Sequence, residues 1–251
     1  MRVDTLYIVM PAYNEAANIE EVIAGWYPVV ERAGGDSRLV VLDDGSRDGT
    51  AGILAELART RPRLVALSRA NCGHGATVLE LYRYALANGA DYVFQTDSDG
   101  QTDPAEFDAL WRIRGACDMA MGVRVARRDG TSRVVVTHVL KAVVRAAFHV
   151  RLADANVPFR LMSASSLARC LEHVPAGYNL SNVLIAVVYR KLGLAIEERP
   201  ISFKARGGGE NSIDLASITG IGARALADFH RLNRRIDGEI ERERLGTGAG
   251  R

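Results

Sequence analysis

Along residues 6–101 a short apolar run gives way four times to a polar turn, and three of these turns lead into a segment of helical period. The runs are Leu6-Tyr7-Ile8-Val9-Met10, Leu39-Val40-Val41-Leu42, Leu64-Val65-Ala66-Leu67 and Tyr92 to Thr96. They are short and do not alternate with polar residues, as expected of strands buried on both faces. Between them, Glu15 to Glu31 repeats Ile19, Val22, Ile23, Trp26 and Val30 on one helical face. A second helix is expected from about Thr50, with Ile53, Leu54 and Leu57 inward, and a third from Gly75 to Ala87. Such alternation predicts an α/β fold, a single mostly parallel sheet flanked by helices. Ligands of such sheets bind beyond the carboxyl ends of the strands. There lie Pro11-Ala12-Tyr13-Asn14-Glu15, Asp43 to Asp48, Asn71 to Gly75 and Asp97 to Gln101, so the polar motifs converge on one edge.

The second half is less regular. Met119 to Val123 and Ala195 to Phe203 read as strands, and Val134 to Phe148 and Leu180 to Lys191 as helices. Gly207-Gly208-Gly209 reads as a loop, and Leu215 to Leu232 as a final amphipathic helix. The expected domain runs over 1–232, with 233–251 a flexible tail because Arg and Glu mix there before a Gly-rich end. A chain of 251 residues without linker or repeat suits one large domain. A net charge of +2 does not point to nucleic acid. Charge is local instead: Arg124, Arg127, Arg128, Arg133, Lys141, Arg145 and Arg151 face a single acid, Asp129. Such a region attracts phosphates or an anionic membrane surface, and also fits a solvated helix face. Cys72, Cys117 and Cys170 are odd in number and lack metal-type spacing, which suits a reducing cytoplasm. No run approaches the roughly 20 apolar residues that span a bilayer, so membrane contact is expected to be peripheral at most, at the cytosolic face.

Asp97-Ser98-Asp99-Gly100-Gln101 sets two carboxylates one residue apart at a strand end. Oxygen donors of this kind suit a hard divalent cation, Mg²⁺ or Mn²⁺, bridging protein and substrate phosphates. Asp43-Asp44-Gly45-Ser46 offers a carboxylate to a base N–H or ribose hydroxyl, or else caps the next helix. Asn71-Cys72-Gly73-His74-Gly75-Ala76 places glycines before a helix start, where backbone can approach phosphate. It lacks the Lys-Ser/Thr of a Walker loop. Each motif alone also fits an ordinary turn.

Taken in order, Val9 to Glu15, Asp43-Asp44-Gly45-Ser46-Arg47-Asp48-Gly49-Thr50, the Gly-rich turn and Thr96 to Gln101 resemble the family-two glycosyltransferases of GT-A fold. Gly122-Val123-Arg124, Ser132-Arg133, Asp154 to Arg160 and Arg206 to Ser212 look most like the dolichyl- and polyprenyl-phosphate hexose transferases. The resemblance implies a metal-dependent, inverting hexose transfer from a UDP- or GDP-linked sugar to a polyprenyl phosphate. A glycan or small-molecule acceptor is the alternative. It implies a nucleotide-sugar-binding half over 1–123 and an acceptor-binding half over 124–232. Pro11, Ala12, Tyr13, Glu15, Asp44, Gly75, Asp97 and Ser98 would then face the nucleotide sugar. Asp97, Asp99 and Gln101 would hold the metal, and Arg124, Arg133 and Arg206 the acceptor phosphate or donor diphosphate. Asp99, Arg133 and Asp154 would be catalytic, with Asp154 the base if the acceptor is a hydroxyl. The sequence departs from these relatives at His74, where Lys is usual, and at Asn156-Val157-Pro158-Phe159-Arg160, which replaces a Ser-Gly-Phe/Tyr pattern.

Overall fold

The computed structural model describes residues 3–125, 141–204 and 215–248. The expected alternation is present as β1 (Leu6–Ala12), α1 (Ile19–Ala33), β2 (Arg38–Asp43), α2 (Thr50–Thr60), β3 (Leu64–Ser68), α3 (His74–Ala87) and β4 (Tyr92–Thr96). A 3-10 turn (Pro104–Glu106) leads into α4 (Phe107–Trp111) and β5 (Met119–Arg124). Then come α5 (141–148), β6 (Phe159–Ser163), α6 (Ala164–Leu171), α7 (Ser181–Lys191), β7 (Ile196–Ile201) and α8 (Leu215–Gly248).

One sheet of seven strands runs in the order β3-β2-β1-β4-β6-β5-β7. The chain steps outward from β1 through β2 to β3, then returns to place β4 on the other side of β1. That reversal opens a crevice beyond the carboxyl ends of β1 and β4, where ligands of doubly wound sheets bind. Pairing is parallel for β1–β2, β2–β3, β1–β4 and β5–β7. The exception is β6, antiparallel to both β4 and β5. The sequence reading assigned no strand there, because Pro158 and Arg160 interrupt the apolar pattern. Arg160 nevertheless sits mid-strand, opposite Gln95 and Met121, and is wholly buried.

Aromatic rings join α1 and α4 to the sheet. Trp26 lies 5.2 Å from Phe94, and Phe94 meets Phe107 and Phe159 edge-on at 4.9 and 4.8 Å. Across the sheet, α7 is buried along every residue from Ser181 to Tyr189.

The expected flexible tail at 233–251 is corrected by α8, which continues to Gly248. Phe229, Asn233, Ile236 and Ile240 are buried at one-face helical spacing. The charges around them have partners: Arg169 Nε donates to Glu243 at 2.7 Å, Lys191 Nζ to Asp237 at 2.5 Å, and His173 lies between Glu239 and Glu243 at 3.4 and 3.3 Å. An Arg/Glu-rich stretch therefore folds because its sparse isoleucines share a stripe and its charges meet α6 and α7.

Ile236→Ala should cost about 2–4 kcal/mol of stability in urea unfolding, whereas a frayed tail would lose nothing. The hydrogen bond from Arg169 holds Glu243 below the usual carboxylate value of 4.5. Burial pushes Glu239 up, but hydrogen bonds and charge from Arg235 and His173 outweigh it, and it too lies below 4.5. Carboxylates lowered in the folded state stabilise above their unfolded pKa. Thermal stability should therefore fall as pH drops below 4.5, and Glu239→Gln with Glu243→Gln should flatten that fall.

Candidate active site

The loops after β1 and β2 are laced together at the crevice. Asn14, at φ 53°, donates its N–H to Ser46 Oγ at 2.9 Å and accepts from Arg47 N–H at Oδ1, also 2.9 Å. Ala16 N–H donates to Asp48 Oδ2 at 3.0 Å, and Glu15 N–H to Thr50 Oγ1 at 2.9 Å. Pro11 and Ala12 are buried at the end of β1, and Tyr13 stands out of the same loop as an exposed ring. Glu15, expected on the nucleotide, is buried: its Oε2 accepts from Asn18 Nδ2 at 2.9 Å, and its carbonyl accepts the amides of Asn18 and Ile19.

Asp44, expected on the base or ribose, is buried. Its Oδ1 accepts from Arg69 Nε and Cys72 N–H, both at 3.0 Å, and its Oδ2 from Gly73 N–H at 2.8 Å. The carboxylate organises the Gly-rich turn. Arg69 also pairs with Glu80 and donates to Thr77 Oγ1 at 2.8 Å. Gly75, expected at the nucleotide sugar, has close backbone neighbours. A Cβ there would meet the carbonyl oxygens of Tyr178 and Asn179 at 2.3 Å, so this glycine admits the loop before α7.

The Asp97-Ser98-Asp99 turn closes the crevice. Ser98 Oγ donates to the Pro11 carbonyl at 2.8 Å, which staples the end of β4 to β1 and turns Ser98 away from ligand. Asp97 keeps a quarter of its side chain accessible, yet its Oδ1 is buried and has no hydrogen-bond partner. Burial pushes its pKa up to about 6, against the opposing pull of His74; Asp99 raises it further, and Arg124 and Arg160 lower it. His74 Nε2 stands 3.9 Å from Oδ1, an ion pair only when the imidazole is protonated. A desolvated carboxylate oxygen without a donor suits a divalent cation, which would join Asp97 to half-buried Asp99. Among the described residues no three His, Cys, Asp or Glu side chains form a closed metal cage, so such a cation would take its other ligands from substrate and water. Gln101 is otherwise engaged: its N–H donates to Asp99 Oδ1 at 3.1 Å and its Nε2 to the Lys204 carbonyl at 2.8 Å. It anchors the segment after β7 to the turn.

Arg124 ends β5 and grips Asp154 through two 2.7 Å hydrogen bonds, from Nε and Nη2, with its guanidinium 4.9 Å from the Phe203 ring. Asp154, the candidate base, is thus a partner of Arg124 in this structure. Arg133 and Arg206 lie outside the described residues. Arg160, which the sequence reading gave no role of its own, has a guanidinium that donates only to backbone carbonyls: Ala155, Val157 and Asn182. Its signal in the sequence was one charge inside the apolar run Phe159 to Met162.

An open α/β sheet with laced polar loops and an Asp-x-Asp turn at its switch point has the architecture of the GT-A transferases. Residues 7–172 match the model of glycosyl transferase family 2, well over half of the chain, and the protein belongs to that family and is a glycosyltransferase. It is 27% identical over 258 residues to the undecaprenyl-phosphate mannosyltransferase of Micrococcus luteus, covering 98% of this chain and 100% of that one. Identity to the polyprenol monophosphomannose synthase of Mycolicibacterium smegmatis is also 27%, over 211 residues that cover 79% and 77% of the two chains. Glucosyl-3-phosphoglycerate synthase from Mycobacterium tuberculosis, crystallised with Mn²⁺, UDP-glucose and phosphoglyceric acid, superposes with a TM-score of 0.62 at 25% identity, covering 93% of this chain and 80% of that one.

Gly75→Ala should destabilise the protein by about 1–3 kcal/mol in chemical unfolding, because the loop before α7 must move aside. A loss confined to nucleotide affinity, with stability unchanged, would restore Gly75 to the ligand side.

Proposed function

We propose that this chain transfers a sugar from a nucleoside-diphosphate sugar to a polyprenyl phosphate, with inversion at the anomeric carbon. The observation that carries the acceptor is a cleft of about 190 Å³ lined by Lys141, Arg145 and Arg151 together with Val144, Val150, Leu152 and Ala155. Three cations over an apolar floor suit an anionic amphiphile better than a neutral glycan. Ala155 ties the cleft to the neighbouring Asp154–Arg124 pair. The two relatives at 27% identity, named for polyprenyl-linked mannose transfer, support the same reading.

In this reading Asp97 and Asp99 hold a divalent cation against the donor diphosphate. Such a cation, Mg²⁺ or Mn²⁺, neutralises charge on the leaving group. Tyr13 forms the exposed wall of the nucleotide site beside the end of β1. Arg124 offers the remaining edge of its guanidinium to the acceptor, with Arg133 and Arg206 as further phosphate contacts. A phosphate acceptor arrives ionised and needs no strong base. The engagement of Asp154 with Arg124 therefore favours it over a sugar hydroxyl, which would need one. No described helix is long and apolar enough to cross a membrane. The basic cleft gives peripheral contact with an anionic surface as the way to reach a lipid acceptor.

Two measurements test this. Labelled sugar should pass from a nucleotide sugar into the organic phase with polyprenyl phosphate present; label confined to a water-soluble product would replace this acceptor with a glycan or small molecule. Asp99→Ala should lower turnover by about 100-fold or more, and undiminished activity would remove the turn from the site.

A further inference from the structure

Arg160 is a wholly buried cation in the middle of a sheet, and no described carboxylate accepts a hydrogen bond from it. Burying a guanidinium is costly unless its donors are met. Here all three nitrogens are used, on carbonyls. Nε donates to Val157 at 3.1 Å, Nη2 to Val157 at 2.8 Å and Ala155 at 3.1 Å, and Nη1 to Asn182 at 2.7 Å. Ala155 and Val157 belong to the turn that begins at Asp154, closed by a 3.4 Å bond from Val157 N–H to the Asp154 carbonyl. Asn182 lies in the first turn of α7. The guanidinium thus fills the turn from inside and locks it to α7, which is buried along every residue from Ser181 to Tyr189.

The same turn carries the carboxylate that grips Arg124. A planar fork spans three carbonyls at fixed angles, which a lysine ammonium on a single atom does not. Hydrophobic side chains of similar volume would avoid the burial cost, but would leave those carbonyls unsatisfied and the turn free to shift. We propose that Arg160 is a positioning residue for the acceptor side: through the 154–157 turn it sets Asp154, and through Asp154 it sets the direction in which Arg124 meets the acceptor phosphate. The inference rests on the acceptor role of Arg124 given above. It adds that this role depends on a cation that touches neither substrate.

The test is a double-mutant cycle with a spectroscopic readout. Arg160→Lys keeps the buried charge and loses the fork, and Arg160→Met removes both. In each, the acceptor KM should rise about tenfold while the donor Kd, read by titrating nucleoside diphosphate, stays within about twofold. Arg124→Ala should raise the acceptor KM by itself, and adding Arg160→Lys to it should cost little more, because the two act in series. The Nε–H resonance of Arg124, deshielded in the wild type by its bond to Asp154, should broaden or shift in Arg160→Lys. Losses that add in full, a donor Kd that rises in step, or an unmoved Arg124 resonance would overturn the proposal. If Arg160→Met does not fold, Arg160→Lys decides by the same criteria; if neither folds, Arg160 is structural and the proposal fails. An acceptor KM indifferent to Arg124→Ala, beside a resonance that still moves, would retire the acceptor reading and leave the coupling intact.

Discussion

The Asp97 carboxylate is held where water does not satisfy it, and the donor edge of the molecule is organised around that constraint. Ser98 fixes the turn to β1 through the Pro11 carbonyl, a buried hydrogen bond between the two central strands. One oxygen is left without a donor, and burial raises the cost of its charge. The compensating charges come from three different elements: His74 at the start of α3, Arg124 at the end of β5 and Arg160 inside β6. A cation bound with substrate would complete a balance that the chain leaves open.

The other acidic residues of this edge act differently. Asp43, Asp44 and Asp48 accept from amides and hydroxyls of the adjacent loops, and Asp44 from Arg69 as well, so they shape the crevice. Loop backbone at a sheet edge has no ladder to satisfy it, and carboxylates supply the missing acceptors. The Gly-rich turn is held from two sides, by Asp44 beneath and by the Tyr178–Asn179 backbone against Gly75. The loop before α7 and the start of α3 are thereby made one unit, which couples the donor edge to the helix that also anchors Arg160.

Much of this was legible in the chain itself. Strand and helix periods are local, because a buried face imposes them on successive residues, and turn residues mark where they stop. The convergence of four polar loops on one edge, the Asp97–Asp99 turn among them, followed from parallel topology alone. Other features were not legible, for a physical reason of equal generality. The resemblance set Glu15 and Asp44 on the nucleotide, and residue type made Asp154 a candidate base. Type does not reveal that Arg69 lies 25 residues from Asp44, or Arg124 30 residues from Asp154, at hydrogen-bond distance. The tail was read as flexible because its charges outnumber its isoleucines, although the partners on α6 and α7 were already present.

By itself, then, the sequence determined the layered α/β architecture and the edge on which its polar loops gather, since each depends on patterns within a few residues. The tertiary structure alone decided which carboxylates hold the loops together and which keep an oxygen without a donor. It also decided that Arg160, in an antiparallel strand no local period announced, lies beneath the 154–157 turn. Availability of a charged group depends on what packs against it, and those contacts join residues far apart in the chain.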